Sequence, residues 1–119
     1  MNEFNSQVCT SAEQSKRLLE LGLKPETADC FHWEYAGERY IGTVDDEGLT
    51  ETDVPAWSLH RLIEMCNKAQ FRVTISIYND EVTVNGDLFE IFDNTYDNLI
   101  SVIEFLIKEG HFNKEYLKQ

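Results

Sequence analysis

Basic residues are scarce. Ten Lys and Arg stand against 22 Asp and Glu, for a formal net charge of −12 at pH 7. A field of that sign repels phosphate, so direct binding of nucleic acid and attraction to an anionic membrane surface are both disfavoured. Cysteine is nearly absent as well: Cys9, Cys30 and Cys66 are odd in number and widely spaced. That spacing argues against a disulfide framework or a zinc knuckle and reads as buried, inert thiols. No apolar run approaches the roughly 20 residues that span a bilayer. The opening "MNEFNSQVCTSAEQ" has neither a basic start nor an apolar stretch of the kind that marks export, so a cytoplasmic protein is expected. The six glycines are scattered and form no phosphate-cradling loop, and aromatics interleaved with bases, the mark of single-strand binders, are missing.

What remains is the composition of one soluble globular domain, residues 1–119, with 42% apolar and 27% charged residues. Residues 1–9 read as a ragged lead-in. "SAEQ" places Ser11 three residues before Gln14, a capping box that opens a first helix; Leu18, Leu19 and Leu21 supply its apolar surface and Gly22 its stop. Pro25 then starts a short helical turn. In "CFHWEYAGERYIGTV" (30–44) Phe31, Trp33 and Tyr35 alternate with His32 and Glu34, and "AGE" turns the chain into a returning strand. An acidic loop follows, with Asp45, Asp46, Glu47, Glu51 and Asp53.

The stretch "DVPAWSLHRLIEM" (53–65) predicts a helix from Pro55 to Cys66. Asp53 would cap it, and Leu59, Leu62, Ile63 and Cys66 would form one apolar stripe opposite Ser58, Arg61, Glu64 and Lys68. Residues 71–93 carry the clearest strand signal. Phe71, Val73, Ile75 and Ile77 alternate with polar residues, and "ND" at 79–80 and "NG" at 85–86 mark turns, which predicts a three-stranded meander. A last helix runs from Thr95, a candidate cap, to Gly110. Its polar stripe of Asp97, Ser101, Glu104 and Lys108 is narrow, so it needs two apolar neighbours. Those are either the sheet and the first helix, or a second subunit in a two-fold homodimer. The order α-ββ-α-βββ-α predicts an α+β domain with an antiparallel sheet of about five strands covered by helices.

Candidate chemistry is thin. Ser58 and His60 are two residues apart, positions that do not face each other on a helix, and no glycine-rich elbow surrounds Ser58. Trp57 reads as a packing residue at a helix entry. Cys30 and His32 share a strand face, which by itself suggests a histidine beside a buried thiol. His111 is isolated, the acidic loop lacks calcium-loop spacing, and no paired histidines lie at helical spacing. These readings predict no catalytic, cofactor or metal residue, and no cofactor.

"QSKRLLELGLKPETAD" (14–29), "DVPAWSLHRLIEM" (53–65) and "LISVIEFLIKEGHF" (99–112) together resemble a family of small uncharacterised proteins encoded in prophages and mobile elements of Bacteroides-type bacteria. "LLELGLKPETAD" and "PAWSL" are its most specific parts, and residues 71–93 carry none of it. The resemblance implies a bacterial cytoplasm and an accessory gene of a mobile element; the family has no established activity, so it carries over no catalytic residue. Three classes follow in order: a non-catalytic module that binds another protein through its acidic or apolar surface; an acidic inhibitor that imitates DNA; and a small enzyme, which would need a deep pocket joining Cys30, His32 or His60 to acids from elsewhere.

Overall fold

A computed structural model describes residues 7–44, 48–49, 53–69, 75–78, 81–84, 87–88 and 94–118. The acids Asp45, Asp46, Glu47 and Glu51, the turn positions 79–80 and 85–86, and Phe71 and Val73 lie outside them.

Helix α1 (Ala12–Glu20) begins with the expected capping box: Ser11 Oγ accepts from Gln14 N, and the Gln14 side chain accepts from Ser11 N. Gly22 ends it, and a 3₁₀ turn follows at Pro25–Thr27. Strands β1 (Cys30–Tyr35) and β2 (Glu38–Thr43) pair antiparallel over six residues without a bulge. A two-residue turn joins them, with both central residues at positive φ, Ala36 at 54° and Gly37 at 82°. This is the I′ geometry that matches strand twist, and glycine adopts it readily. Ala36 does not: a left-handed conformation costs an L-residue roughly 1–2 kcal/mol, and asparagine tolerates it best. Ala36→Asn should therefore recover part of that amount, read as a rise in thermal midpoint.

Pro55 is not in a helix. Val54–Ala56 forms β3, paired with the other side of β1 through Cys30↔Ala56 and His32↔Val54. Helix α2 (Leu59–Asn67) starts four residues later than predicted, and its cap is Ser58, whose Oγ accepts from Arg61 N, rather than Asp53. The physical reason is non-local. In β3 the missing N–H of Pro55 points away from β1, so the ladder loses nothing. Trp57 just beyond it is held by Thr10, whose N donates to Trp57 O (2.9 Å) and whose Oγ1 accepts from Trp57 N (3.0 Å). Residues 7–9 are correspondingly not a ragged lead-in: Cys9 is buried, and Gln7 O accepts from the Tyr96 hydroxyl.

β4 (Ile75–Tyr78), β5 (Glu81–Val84) and β6 (Asp87–Leu88) form the predicted meander. The fold is thus α+β and antiparallel, but the described strands make two sheets of three, ordered β2-β1-β3 and β4-β5-β6, rather than one of about five. β3 takes the flank of β1 that a shared sheet would have used. α1 contacts β3, α2 contacts β4 and α3 (Thr95–Lys108) contacts β5, so the helices connect the two sheets.

The main core gathers Leu18, Leu23, Trp57, Leu62, Met65, Leu99, Ile103 and Leu106 from all three helices and their flanks. The α2 stripe falls inward as expected: Leu62 and Cys66 are buried, and Leu59 and Ile63 pack against the core. α3 is capped by Asn94, not Thr95, and ends at Gly110. From Asp97 to Glu104 its polar stripe faces α1, and of the stripe only Lys108 is exposed. Gln14 Nε2 donates to Asp97 (2.8 Å), Arg17 pairs with Glu104 (2.9 Å), and Ser101 is buried. α1, α2 and β5 therefore supply the neighbours that α3 needs from within the chain. Phe105 is left exposed on it, at 42%.

Candidate functional site

β3 pairs only with Cys30–His32, so the distal half of the β1–β2 hairpin continues past it as a two-stranded ribbon. Along β1, side chains alternate between faces. Cys30 and His32 turn inward. Phe31, Trp33 and Tyr35 share the opposite face with Glu38, Tyr40 and Gly42 of β2. Phe31 lies over Gly42, where a Cβ would sit 2.8 Å from its ring, so position 42 has no room for a side chain unless the ring moves. Trp33 and Tyr40 are directly opposite and stack with centroids 4.7 Å apart and planes inclined by 27°. On the inner face of the ribbon Arg39 reaches Glu34 at 3.1 Å.

This ribbon is wet and aromatic at once. Among the described residues six large apolar side chains are exposed; three belong to it, Trp33 (38%), Tyr35 (69%) and Tyr40 (39%), and a fourth, Ile41 (49%), adjoins it on β2. That is a concentration, not a scatter, and clustered apolar exposure marks interaction surfaces. Tyr and Trp are the side chains most favoured at interface centres. Where β3 stops, a cleft of about 430 Å³ opens beside the ribbon, lined by Phe31, His32, Trp33, Arg39 and Val54 among others.

Behind the ribbon lies the inward pair. The His32 ring nitrogen Nε2 donates to Thr10 O (2.8 Å), because a carbonyl can only accept. The same nitrogen is 3.9 Å from Cys9 Sγ. Cys30 and His32 do share a buried face, and the structure adds Cys9, 21 residues before Cys30, to the small cluster Cys9, Cys30 and Ala56. Burial pushes the Cys30 thiol up to about 12, with the Asp29 carboxylate and Cys9 adding to it; burial alone takes Cys66 to about 12. Cys9 is raised too, by burial and then by Asp29. All three are held as thiols, whereas nucleophiles and metal ligands are thiolates. Among the described residues no three His, Cys, Asp or Glu side chains are placed to hold a metal ion.

A pH dependence follows. In the unfolded chain these thiols lose their protons near the ordinary 9.0; in the folded chain Cys30 and Cys66 do so only near 12. Between those values the unfolded state binds fewer protons, so stability is intact below pH 9 and falls as pH rises toward 12. A native chain should react slowly with a thiol reagent at pH 8, and an unfolded one at all three cysteines. Fast native labelling would contradict the burial.

Ser58 and His60 are not brought together as a catalytic pair. Ser58 Oγ donates to Asp29 Oδ2 (2.5 Å) while accepting from Arg61 N, and Ser58 N donates to Asp29 Oδ1 (2.9 Å). His60 is exposed. Trp57 is wholly buried, and its Nε1 donates to Thr27 Oγ1 (3.1 Å). Arg61 bridges inward: Nε donates to Thr27 O (2.8 Å), the guanidinium lies 5.6 Å from the Tyr116 ring centroid, and it pairs with Glu64, whose carboxyl this bond holds below its ordinary range.

The sequence did not reveal the exposure of the hairpin. Its aromatic alternation looks the same whether the face is covered or bare, and only what distant segments pack over that face decides. Compared with known proteins, the chain matches no family model, no curated protein and no solved structure.

Proposed function

We propose that this chain is a non-catalytic protein-interaction module, an accessory protein of a prophage or mobile element, and that it engages its partner through the β1–β2 ribbon. The observation that carries the reading is the gathering of Trp33, Tyr35, Tyr40 and Ile41, all exposed, on one projecting hairpin. Such side chains cost little conformational entropy to fix and bury much area when covered. The buried thiols, and a Ser58 that is occupied as cap and clamp, support the absence of catalysis. A homodimer through the final helix would have to rest on Phe105, and sedimentation at micromolar concentration decides it.

Charge sets the sign of the partner. A chain of net −12 favours a basic one, and this holds equally for the second reading, an acidic inhibitor that takes the place of DNA on a DNA-binding protein. Neither reading allows duplex DNA itself: fluorescence anisotropy at moderate salt should show no binding, and tight binding would sink both. The test of the ribbon is capture from an extract of a bacterium carrying such an element, using the wild-type chain and Trp33→Ser/Tyr40→Ser side by side. A protein retained by the first and lost by the second is expected; equal retention would move the interaction elsewhere.

A further inference from the structure

We propose that the outer edge of β2 takes up an extended, positively charged segment of a partner protein as an added strand. This rests on the interaction-module reading and names its mode and partner class. β2 is the edge of its sheet. Val44 N donates to Asp29 O, which fixes the phase of the β1–β2 ladder. In an antiparallel pair the bonded residues alternate, so Glu38, Tyr40 and Gly42 bond to β1, and Arg39, Ile41 and Thr43 turn their N–H and C=O groups outward. No described residue takes these groups.

The two edges of this sheet differ. β3 is three residues long, carries Pro55 with no N–H to offer outward, and is met by Thr10 on Trp57. β2 is six residues long, with no proline, no lysine and no bulge. Natural edges are usually blunted by such devices or by charges; on β2 the charges Glu38 and Arg39 stand at the turn end, and residues 40–43 carry none, which leaves that stretch a template for another strand. The one cation of β2, Arg39, is paired with Glu34.

Charge complementarity selects the occupant. From Asp29 to Val44 the acids are Asp29, Glu34 and Glu38 against the single base Arg39, within a chain of net −12. A second copy would set −12 against −12, whereas a basic segment is attracted. Backbone bonds along the edge would supply affinity, and side chains alternating over Tyr40 or beside Ile41 would supply selectivity.

The test is selection of displayed random dodecapeptides on the purified chain, followed by amide hydrogen exchange with the enriched peptides. Basic sequences of alternating strand formers should emerge, and they should slow exchange at Arg39, Ile41 and Thr43 selectively. Ile41→Pro removes one outward donor and no bond to β1, and should weaken these peptides about ten-fold, whereas Ile41→Thr, which keeps the donor, should change them by less than about three-fold. Peptides that bind the aromatic face without slowing those three amides would overturn the added strand and leave the interaction module standing. Slow exchange at the three amides without peptide, together with a concentration-dependent dimer, would assign the edge to a second copy and overturn the proposed occupant. Enriched peptides that ignore the ribbon, or no enrichment, would overturn both.

Discussion

Trp57→Ala is expected to lower the free energy of unfolding by about 3–5 kcal/mol, the usual cost of emptying a large aromatic site. For a domain whose total stability is of order 5–15 kcal/mol this is a substantial share. The residue has no exposed surface, and its ring joins the main core. Its backbone closes the link to Thr10 at the end of β3, and its indole N–H reaches Thr27 beside the 3₁₀ turn. Truncation would therefore open a cavity where β3, α2 and the segment before α1 meet. Trp57→Phe keeps most of the volume and should cost less. Thr27 Oγ1 would lose the indole donor but still donates to Lys24 O. Denaturant melts followed by circular dichroism read the effect, and Trp33 on the ribbon remains as a fluorescent probe. A loss below about 1 kcal/mol would mean that Trp57 is not core.

The opposite pattern is expected at the ribbon. Trp33 and Tyr40 are more than a third exposed and stack mainly on each other. A cross-strand pair of this kind contributes roughly 0.2–1 kcal/mol, so Trp33→Ser/Tyr40→Ser should melt close to wild type. Affinity for a partner is another matter. Truncating an aromatic at an interface centre commonly costs about 2 kcal/mol or more, and two together should weaken binding by about 100-fold or beyond. A large loss of binding with little loss of stability separates a contact surface from a structural one. Equal losses in both would show that the stack holds the fold.

How far the chain could be read before its structure depended on the range of the forces involved. The capping box of Ser11 and Gln14, the stops at Gly22 and Gly110, and the hairpin turn at Ala36–Gly37 are set by neighbours within a few residues, and all were legible. "DVPAWSLH" satisfies two local descriptions, a helix with proline in its first turn and an edge strand followed by a Ser58 cap. Pairing with Cys30 and His32, more than 20 residues upstream, chose the second. The sharing of strands between sheets is likewise non-local: the meander of β4–β6 could be read, its separation from β1 could not. The polar stripe with Asp97 and Glu104 was visible, but not what it faces, because the partners Gln14 and Arg17 lie 83 and 87 residues away along the chain. For the candidate site, the side chains of the ribbon were visible as a strand pattern. Their exposure was not, because it depends on which distant segments pack over that face.

The central claim is that this ribbon meets another protein. Site-specific photo-crosslinking tests it most directly, with a benzophenone amino acid placed at the exposed position of Tyr35, at the ribbon tip, or at exposed Lys16 on α1. In an extract of a bacterium carrying such an element, one defined adduct is expected from position 35 and none from position 16. Adducts from position 16 with none from position 35 would contradict the account.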